Sequence, residues 1–227
     1  MRDLVGRRPG VPARVWGCYL VVFYSVWTVF ELALRPPLVG WLGSQPEALT
    51  HVIVVKTVIW LLPAVLLMRR FRLGLRVSIR EMLTATPKWV AAFIVFAVFT
   101  AWVVSAAVPD WAAQGFHLTF PLIGVVRSAF AGVQEEVVFR GWLANAMPNW
   151  ANWRGYLVNG LLFALIHVPA WIKNPSQVDG WLLLQAPLAL TLFGAVLAWL
   201  FAKSRSLVVP IVIHTWYDLL VAIVPGG

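Results

Sequence analysis

Seven stretches of this chain approach the length an α-helix needs to cross a membrane, about 20 consecutive apolar residues for about 30 Å of hydrocarbon. They lie at 15–34, 51–68, 88–108, 119–147, 154–172, 181–202 and 207–224. In lipid no water satisfies the backbone, so runs of this kind fold as helices whose N–H and C=O groups pair within the segment. The expected fold is all-α, a polytopic transmembrane helix bundle of about seven spans. Composition removes the alternatives: 61% hydrophobic and 12% charged residues, against about 45–50% and about 25% in soluble domains, exclude disorder, a collagenous repeat and an ordinary soluble enzyme. The single cysteine, Cys18, sits in the first run, forms no intrachain disulfide and reads as lipid-facing packing.

Several local features refine this plan. The fourth run is too long for a simple crossing and implies a bend, a re-entrant portion or an interfacial extension. Pro63 and Pro187 fall inside runs and are expected to mark kinks, since neighbouring helices can satisfy the freed carbonyls. The N-terminal segment, with Arg2, Arg7, Arg8 and Arg14, resembles a signal peptide but lacks an A-x-A site before a run of full spanning length, so an uncleaved first span is expected. The connection 69–87 alternates arginines with Leu73, Leu75, Val77, Ile79 and Leu83 and is expected on the membrane surface.

Basic residues set the orientation. With a cytoplasmic N-terminus, inner segments hold the N-terminal arginines, the basic residues from Arg69 to Lys88, Arg154, Lys203 and Arg205, while outer segments hold only Arg35 and Lys173. The net charge of +9 is therefore a topology signal directed at anionic lipid, and no nucleic-acid partner is expected.

An ionisable group at the bilayer centre costs roughly 2.5–3.5 kcal/mol, so each one needs a reason. Glu31 and Lys56 lie near the outer ends of spans one and two, where snorkelling or a mutual ion pair suffices. Arg127, toward the outside of span four, is expected at lipid phosphate, with a substrate carboxylate as the other reading. Three ionisable groups within 135–140 are a different matter. Glu136 and Arg140 share a helical face at i, i+4 and can neutralise each other. Glu135 points about 100° away and must meet another polar group or water. Span five adds His167, one turn after Phe163, and span seven adds His214 and Asp218, again at i, i+4. Counted from the inner helix ends, Glu135, His167, His214 and Asp218 lie roughly 18, 20, 10 and 16 Å deep at 1.5 Å per residue. One site built from three helices is the reading this coincidence supports.

Such a group can hydrolyse an amide in two ways. Glu135 can take a proton from water that His167 orients, with His214 and Asp218 stabilising the oxyanion. Alternatively His167, His214 and a carboxylate can hold zinc, which activates the water. The sequence offers a supporting carboxylate, Asp218, to only one imidazole, and the two histidines occupy separate helices, so metal-free chemistry without a cofactor is the expectation. There is no H-E-x-x-H, no G-x-S-x-G and no second intramembrane Asp for an aspartyl dyad. A non-catalytic transporter or immunity protein would also explain buried polar groups, but a conduction path needs them at successive depths, and here they cluster at one.

The patterns E-E-x-x-x-R at 135–140, F-x-x-x-H at 163–167 and H-x-x-x-D at 214–218 together resemble the CAAX protease and bacteriocin-processing (CPBP, or Abi) family of intramembrane endopeptidases. The resemblance covers about 119–222. It implies peptide-bond cleavage near the bilayer with Glu135 activating water, Glu136 held by Arg140, His167 assisting, and His214 with Asp218 at the oxyanion. The last motif position is often Asn in that family; an ionised Asp cannot donate to an oxyanion, so Asp218 is expected to orient His214 or to be protonated. Members have been described both as zinc metalloproteases and as metal-independent glutamic proteases. The expected organisation is an N-terminal three-span region, 1–118, joined to a protease core, 119–224, in one integral membrane domain. A bacterial or archaeal cytoplasmic membrane and a membrane-associated protein or peptide substrate are expected, whether prenylated protein, sorting tail or bacteriocin.

Overall fold

The computed structural model describes residues 10–107, 122–175, 180 and 182–223. The arginines at 2, 7 and 8, the expected boundary at 118, the first three positions of predicted span four and residues 108, 181 and 224 at the ends of other spans lie outside them. Among the described residues, seven helical rods account for the seven apolar runs: α1 (Ala13–Leu42), α2 (Pro46–Arg70), α3 (Pro87–Ala107), α4 (Leu122–Glu136, continued by Val137–Ala144), α5 (Trp153–Lys173), α6 (Leu182–Ser204) and α7 (Val208–Ile223). Five helices there are long and apolar enough to cross a membrane, with the apolar part of α7 shorter. The protein is a polytopic helical bundle.

Lipid supplies no hydrophobic drive between helices, so close packing and polar contacts must hold them together. Glycines set the closest approaches. A Cβ at Gly160 on α5 would lie 2.1 Å from the Thr191 carbonyl oxygen on α6, and one at Gly194 would lie 2.8 Å from the Gly160 Cα. A Cβ at Gly132 on α4 would meet Thr215 Oγ1 of α7 at 2.3 Å. Around these contacts an aromatic seam runs across the bundle: Phe23 of α1 meets Trp60 of α2 at 5.3 Å between ring centroids, Phe139 meets Phe163 at 5.5 Å, and Phe163 meets Phe193 at 6.2 Å. The opposite faces carry lipid-compatible residues such as Val21, Val22, Val95 and Val98.

Four helices depart from regular α geometry where the sequence suggests uniform spans; in α1 the departure is a π-helical turn at Phe30–Leu34. The bend required in α4 takes the form of π-helical turns over Val137–Ala144. Tilted carbonyls in such turns invite outside donors, and Asn159 Nδ2 donates to the Phe139 carbonyl at 2.8 Å. In α2, π-helical turns at His51–Val55 and Thr57–Leu61 flank Lys56, and Pro63 sits at the start of the regular helix that follows. Predicted span five is interrupted, with regular helix ending at Leu165 and resuming at Val168. Pro169 explains the break, because it lacks an N–H and disfavours helical geometry at the preceding residue. Trp27 Nε1 donates to the Ile166 carbonyl at that break at 2.9 Å. Pro187 lies within a helix that continues through it.

The connection after α2 packs part of its apolar set against the bundle and leaves Leu73 and Leu83 exposed. Leu75, Val77 and Met82 are buried, and Asn145 at the end of α4 clamps the extended stretch: its Oδ1 accepts from the Arg76 and Val77 N–H groups at 2.8 Å each, and its Nδ2 donates to the Val77 carbonyl at 2.9 Å. Substitution Gly160→Val should lower unfolding stability in detergent by about 1–3 kcal/mol, the range for overpacking a tight contact. Gly40→Ala, where a Cβ meets nothing within 4 Å, should leave the thermal unfolding midpoint unchanged or slightly raised.

Candidate active site

The polar residues singled out above converge from α4, α5 and α7. Glu136 and Arg140, both with no accessible surface, form an i, i+4 ion pair with Nη1 to Oε1 at 2.8 Å. The same Glu136 oxygen receives His214 Nδ1 of α7 at 2.8 Å. Arg140 then extends its other terminal nitrogen, Nη2, 2.7 Å to the Gly194 carbonyl of α6, and its guanidinium lies 5.0 Å from the centre of the Phe163 ring. The absence of a side chain at Gly194 lets α5 and α6 approach closely enough for Arg140 to reach both at once.

Glu135 faces α2. Its Oε1 accepts from Lys56 Nζ of α2 at 2.8 Å, and its Oε2 lies 3.8 Å from His214 Nε2. His214 Nε2 is also 3.7 Å from Asp218 Oδ1, beyond hydrogen-bond reach of either carboxylate. The imidazole is therefore oriented through Nδ1 by Glu136 and not by Asp218, contrary to the expectation from the H-x-x-x-D spacing. The i, i+4 geometry brings Asp218 alongside the ring, but Glu136 reaches the nearer nitrogen. His167 sits at the α5 break, its ring 5.5 Å from Phe163 and stacked 6.1 Å from Trp171. Its Nδ1 is buried and makes no well-formed hydrogen bond, while Glu135 acts on the ring electrostatically.

Lys56, Arg127, His167 and Asp218 line a cavity of about 520 Å³, together with Arg35 and His51. Arg127 thus faces this space as well as solvent or lipid. The expected Glu31–Lys56 pair does not form. Glu31 instead bonds Arg35 at 3.1 Å, His51 at 2.7 Å and Lys173 at 2.6 Å, which ties α1, α2 and the C-terminal end of α5 together. That leaves Lys56 for Glu135. Sequence reasoning misses this pairing because a uniform helix puts Lys56 near the outer interface, and the π-helical turns on both sides of it re-aim the side chain. The usable signal is arithmetic: Glu135 and Lys56 are each without a partner on their own helix.

The residues do not fit a zinc site. Three protein ligands would each need to approach a common ion to about 2.0–2.2 Å. Here an ammonium group already sits 2.8 Å from Glu135, and Glu136 takes one nitrogen of His214. Among the described residues no cluster of three or more His, Cys, Asp or Glu is arranged to hold a metal ion.

Residues 117–220 match a family model described as type II CAAX prenyl endopeptidase Rce1-like. This segment is similar to that family. The match contains all three motifs and agrees with the resemblance they carry, and it supports an intramembrane endopeptidase of the CAAX type. No curated protein and no solved structure matches the chain significantly. Lys56, Glu31 and His51 lie outside the Rce1-like segment, although Lys56 reaches its centre.

Removing one member of a buried ion pair leaves an uncompensated charge, which costs about 3–5 kcal/mol. Arg140→Ala should therefore sharply reduce the amount of protein recovered from membranes. Glu136→Gln should do the same, because it leaves the Arg140 guanidinium uncompensated and removes the negative charge beside His214. Normal abundance and thermal stability for both variants would contradict the buried pair.

Proposed function

We propose that this protein is an intramembrane endopeptidase that hydrolyses a peptide bond of a membrane-associated protein or peptide, with Glu135 as the base that activates water. The observation that carries this reading is the split use of the Glu135 carboxylate. One oxygen is engaged by Lys56, and the other is directed toward a gap bordered by His214 Nε2. A water placed there can give its proton to Oε2 while its oxygen attacks a carbonyl carbon.

The proposed division of labour follows from which nitrogen is free. Glu136 accepts from His214 Nδ1, and three carboxylates surround this ring, so it serves best as the doubly protonated imidazolium. Its Nε2–H, held 3.7–3.8 Å from Asp218 and Glu135, is available to the oxygen that becomes negative as the tetrahedral intermediate forms. Asp218 then stabilises the charged imidazole and does not need to donate. His167, on the cavity wall, orients the attacking water. When the intermediate collapses, the carbon–nitrogen bond breaks and the proton held on Glu135 passes to the leaving amine. The reaction is a net addition of water across the amide, and the residues end in their starting protonation states.

A glutamate-based, metal-free mechanism is further supported by the poor match of the donor set to zinc. The description of the matched family names a prenyl endopeptidase of CAAX proteins, so a farnesylated CAAX peptide is the first substrate to offer.

Two experiments test this reading. In proteoliposomes, wild-type protein should cleave the farnesylated peptide, while Glu135→Gln and His167→Ala should lose at least about 10²-fold in kcat, the usual contribution of acid–base groups. Both should still accumulate, since a glutamine amide oxygen in place of the Glu135 carboxylate accepts from Lys56 and that ammonium, unlike the Arg140 guanidinium, keeps 12% exposure and lines the cavity. More than trace activity in either variant removes the water-activation assignment. Activity should also survive strong chelator, with purified protein holding well below one zinc per chain. Stoichiometric metal together with chelator inactivation reversed by added zinc would recast the two histidines as ligands.

A further inference from the structure

Lys56 lies outside the Rce1-like segment, yet it makes a direct 2.8 Å contact with Glu135. Its ammonium is held in place from several sides. It lies 4.5 Å from the centre of the Trp60 ring and 5.9 Å from that of Trp27, so two aromatic faces replace part of its hydration shell. The side chain keeps 12% exposure, against 6% for Glu135, and lines the cavity. The backbone around it is fixed from α4: Gln134 Nε2 donates to the Val52 carbonyl at 2.8 Å and to Thr57 Oγ1 at 3.0 Å. Consecutive residues of α4 therefore grip α2 around Lys56, Gln134 through its amide on either side and Glu135 through its charge. The π-helical turns at 51–55 and 57–61 orient the side chain inward, and such turns are frequent at functional sites.

We propose that Lys56 is a positioning residue of the active site, which holds Glu135 ionised and rotates its free oxygen toward the water. The N-terminal helices would then complete the catalytic apparatus. This rests on the hydrolytic reading of Glu135. A carboxylate in this setting faces desolvation, the like charge of Asp218 and of Glu136 next to it in the chain, the positive charge of Arg140 and the imidazoles of His214 and His167. Lys56 is the cation in direct contact with it, and an opposite charge at this distance stabilises the ionised form by the equivalent of about 1–3 pH units.

The test compares wild type, Lys56→Gln and Lys56→Arg in proteoliposomes with the farnesylated CAAX peptide across pH. Gln keeps a hydrogen-bond donor and removes the charge; Arg keeps the charge. Lys56→Gln should move the acid limb of kcat/KM upward by about 1–3 pH units, so that on the acid side of both limbs it falls about 10–1,000-fold below wild type with KM little changed. Lys56→Arg should restore the wild-type limb. Infrared difference spectra against Glu135→Gln give a readout that does not need turnover: on acidification the protonated carboxyl band should appear at a pH about 1–3 units higher in Lys56→Gln than in wild type. An unshifted limb and a carboxyl band that appears at the wild-type pH in Lys56→Gln would overturn the proposal. So would loss of the protein from membranes in the Gln and Arg variants alike, which would make Lys56 purely structural. Absence of cleavage by wild type would instead sink the hydrolytic reading, and the infrared arm would still decide whether Lys56 holds Glu135 ionised.

Discussion

The contact between Glu136, Arg140 and His214 is the constraint to which the surrounding geometry is fitted. Taking a carboxylate and a guanidinium out of water costs several kcal/mol per ion unless each finds partners of good geometry. Here α4 supplies both ions, α7 supplies the imidazole at 2.8 Å and α6 supplies the Gly194 carbonyl at 2.7 Å. Those distances require α4 to approach α7 without a side chain at Gly132, and α5 to approach α6 without side chains at Gly160 and Gly194. The small residues that let membrane helices pack are therefore the same residues that let the ion pair be satisfied.

A second layer of compensation surrounds this centre and follows the same rule of pairing charge between helices. Glu135 meets Lys56, and Glu31 meets Arg35, His51 and Lys173. Amide side chains treat the distorted backbone likewise, Asn159 at Phe139 and Gln134 at Val52. These irregular turns thus coincide with a donor from a neighbouring helix, which is what a medium without water demands. Away from the polar side of the bundle, α3, whose outward residues include Val95 and Val98, stays regular and is tied inward through Thr100, which accepts from Trp216 Nε1 at 2.8 Å.

What the sequence reveals and what it hides divide along the range of the interaction. Apolar run length is a local property, so the helices are legible from residues 13 to 223, including the long fourth run that has to bend. The i, i+4 pair of Glu136 and Arg140 is equally local. Pairings between helices are not, because they depend on rotation about each axis. The π-helical turns beside Lys56 and after Glu136 shift that rotation, which is why Glu31 and Lys56 look like natural partners on ideal helices and bond elsewhere in the folded chain. The break at His167 is written in Val168-Pro169, but a proline near the end of an apolar run reads equally well as a kink. The orienting partner of His214 is hidden for the opposite reason: Asp218 is the nearer residue in sequence, and only the approach of α4 to α7 makes Glu136 the nearer one in space.

The choice of arginine at position 140 also follows from this geometry. Its guanidinium serves three neighbours lying in different directions: the Glu136 carboxylate, the Gly194 carbonyl on another helix and the face of Phe163. A lysine ammonium is a compact point charge at the end of a flexible stem, without the planar face or fixed fork needed to meet all three at once. Phe163 in turn packs edgewise against His167 and His214, each at 5.5 Å between ring centres. The glutamate-arginine motif and the two histidine motifs are therefore joined physically through one aromatic ring. Arg140 and His167 share no hydrogen bond, yet both contact Phe163, so a single ring ties the three sequence patterns together in the packed structure.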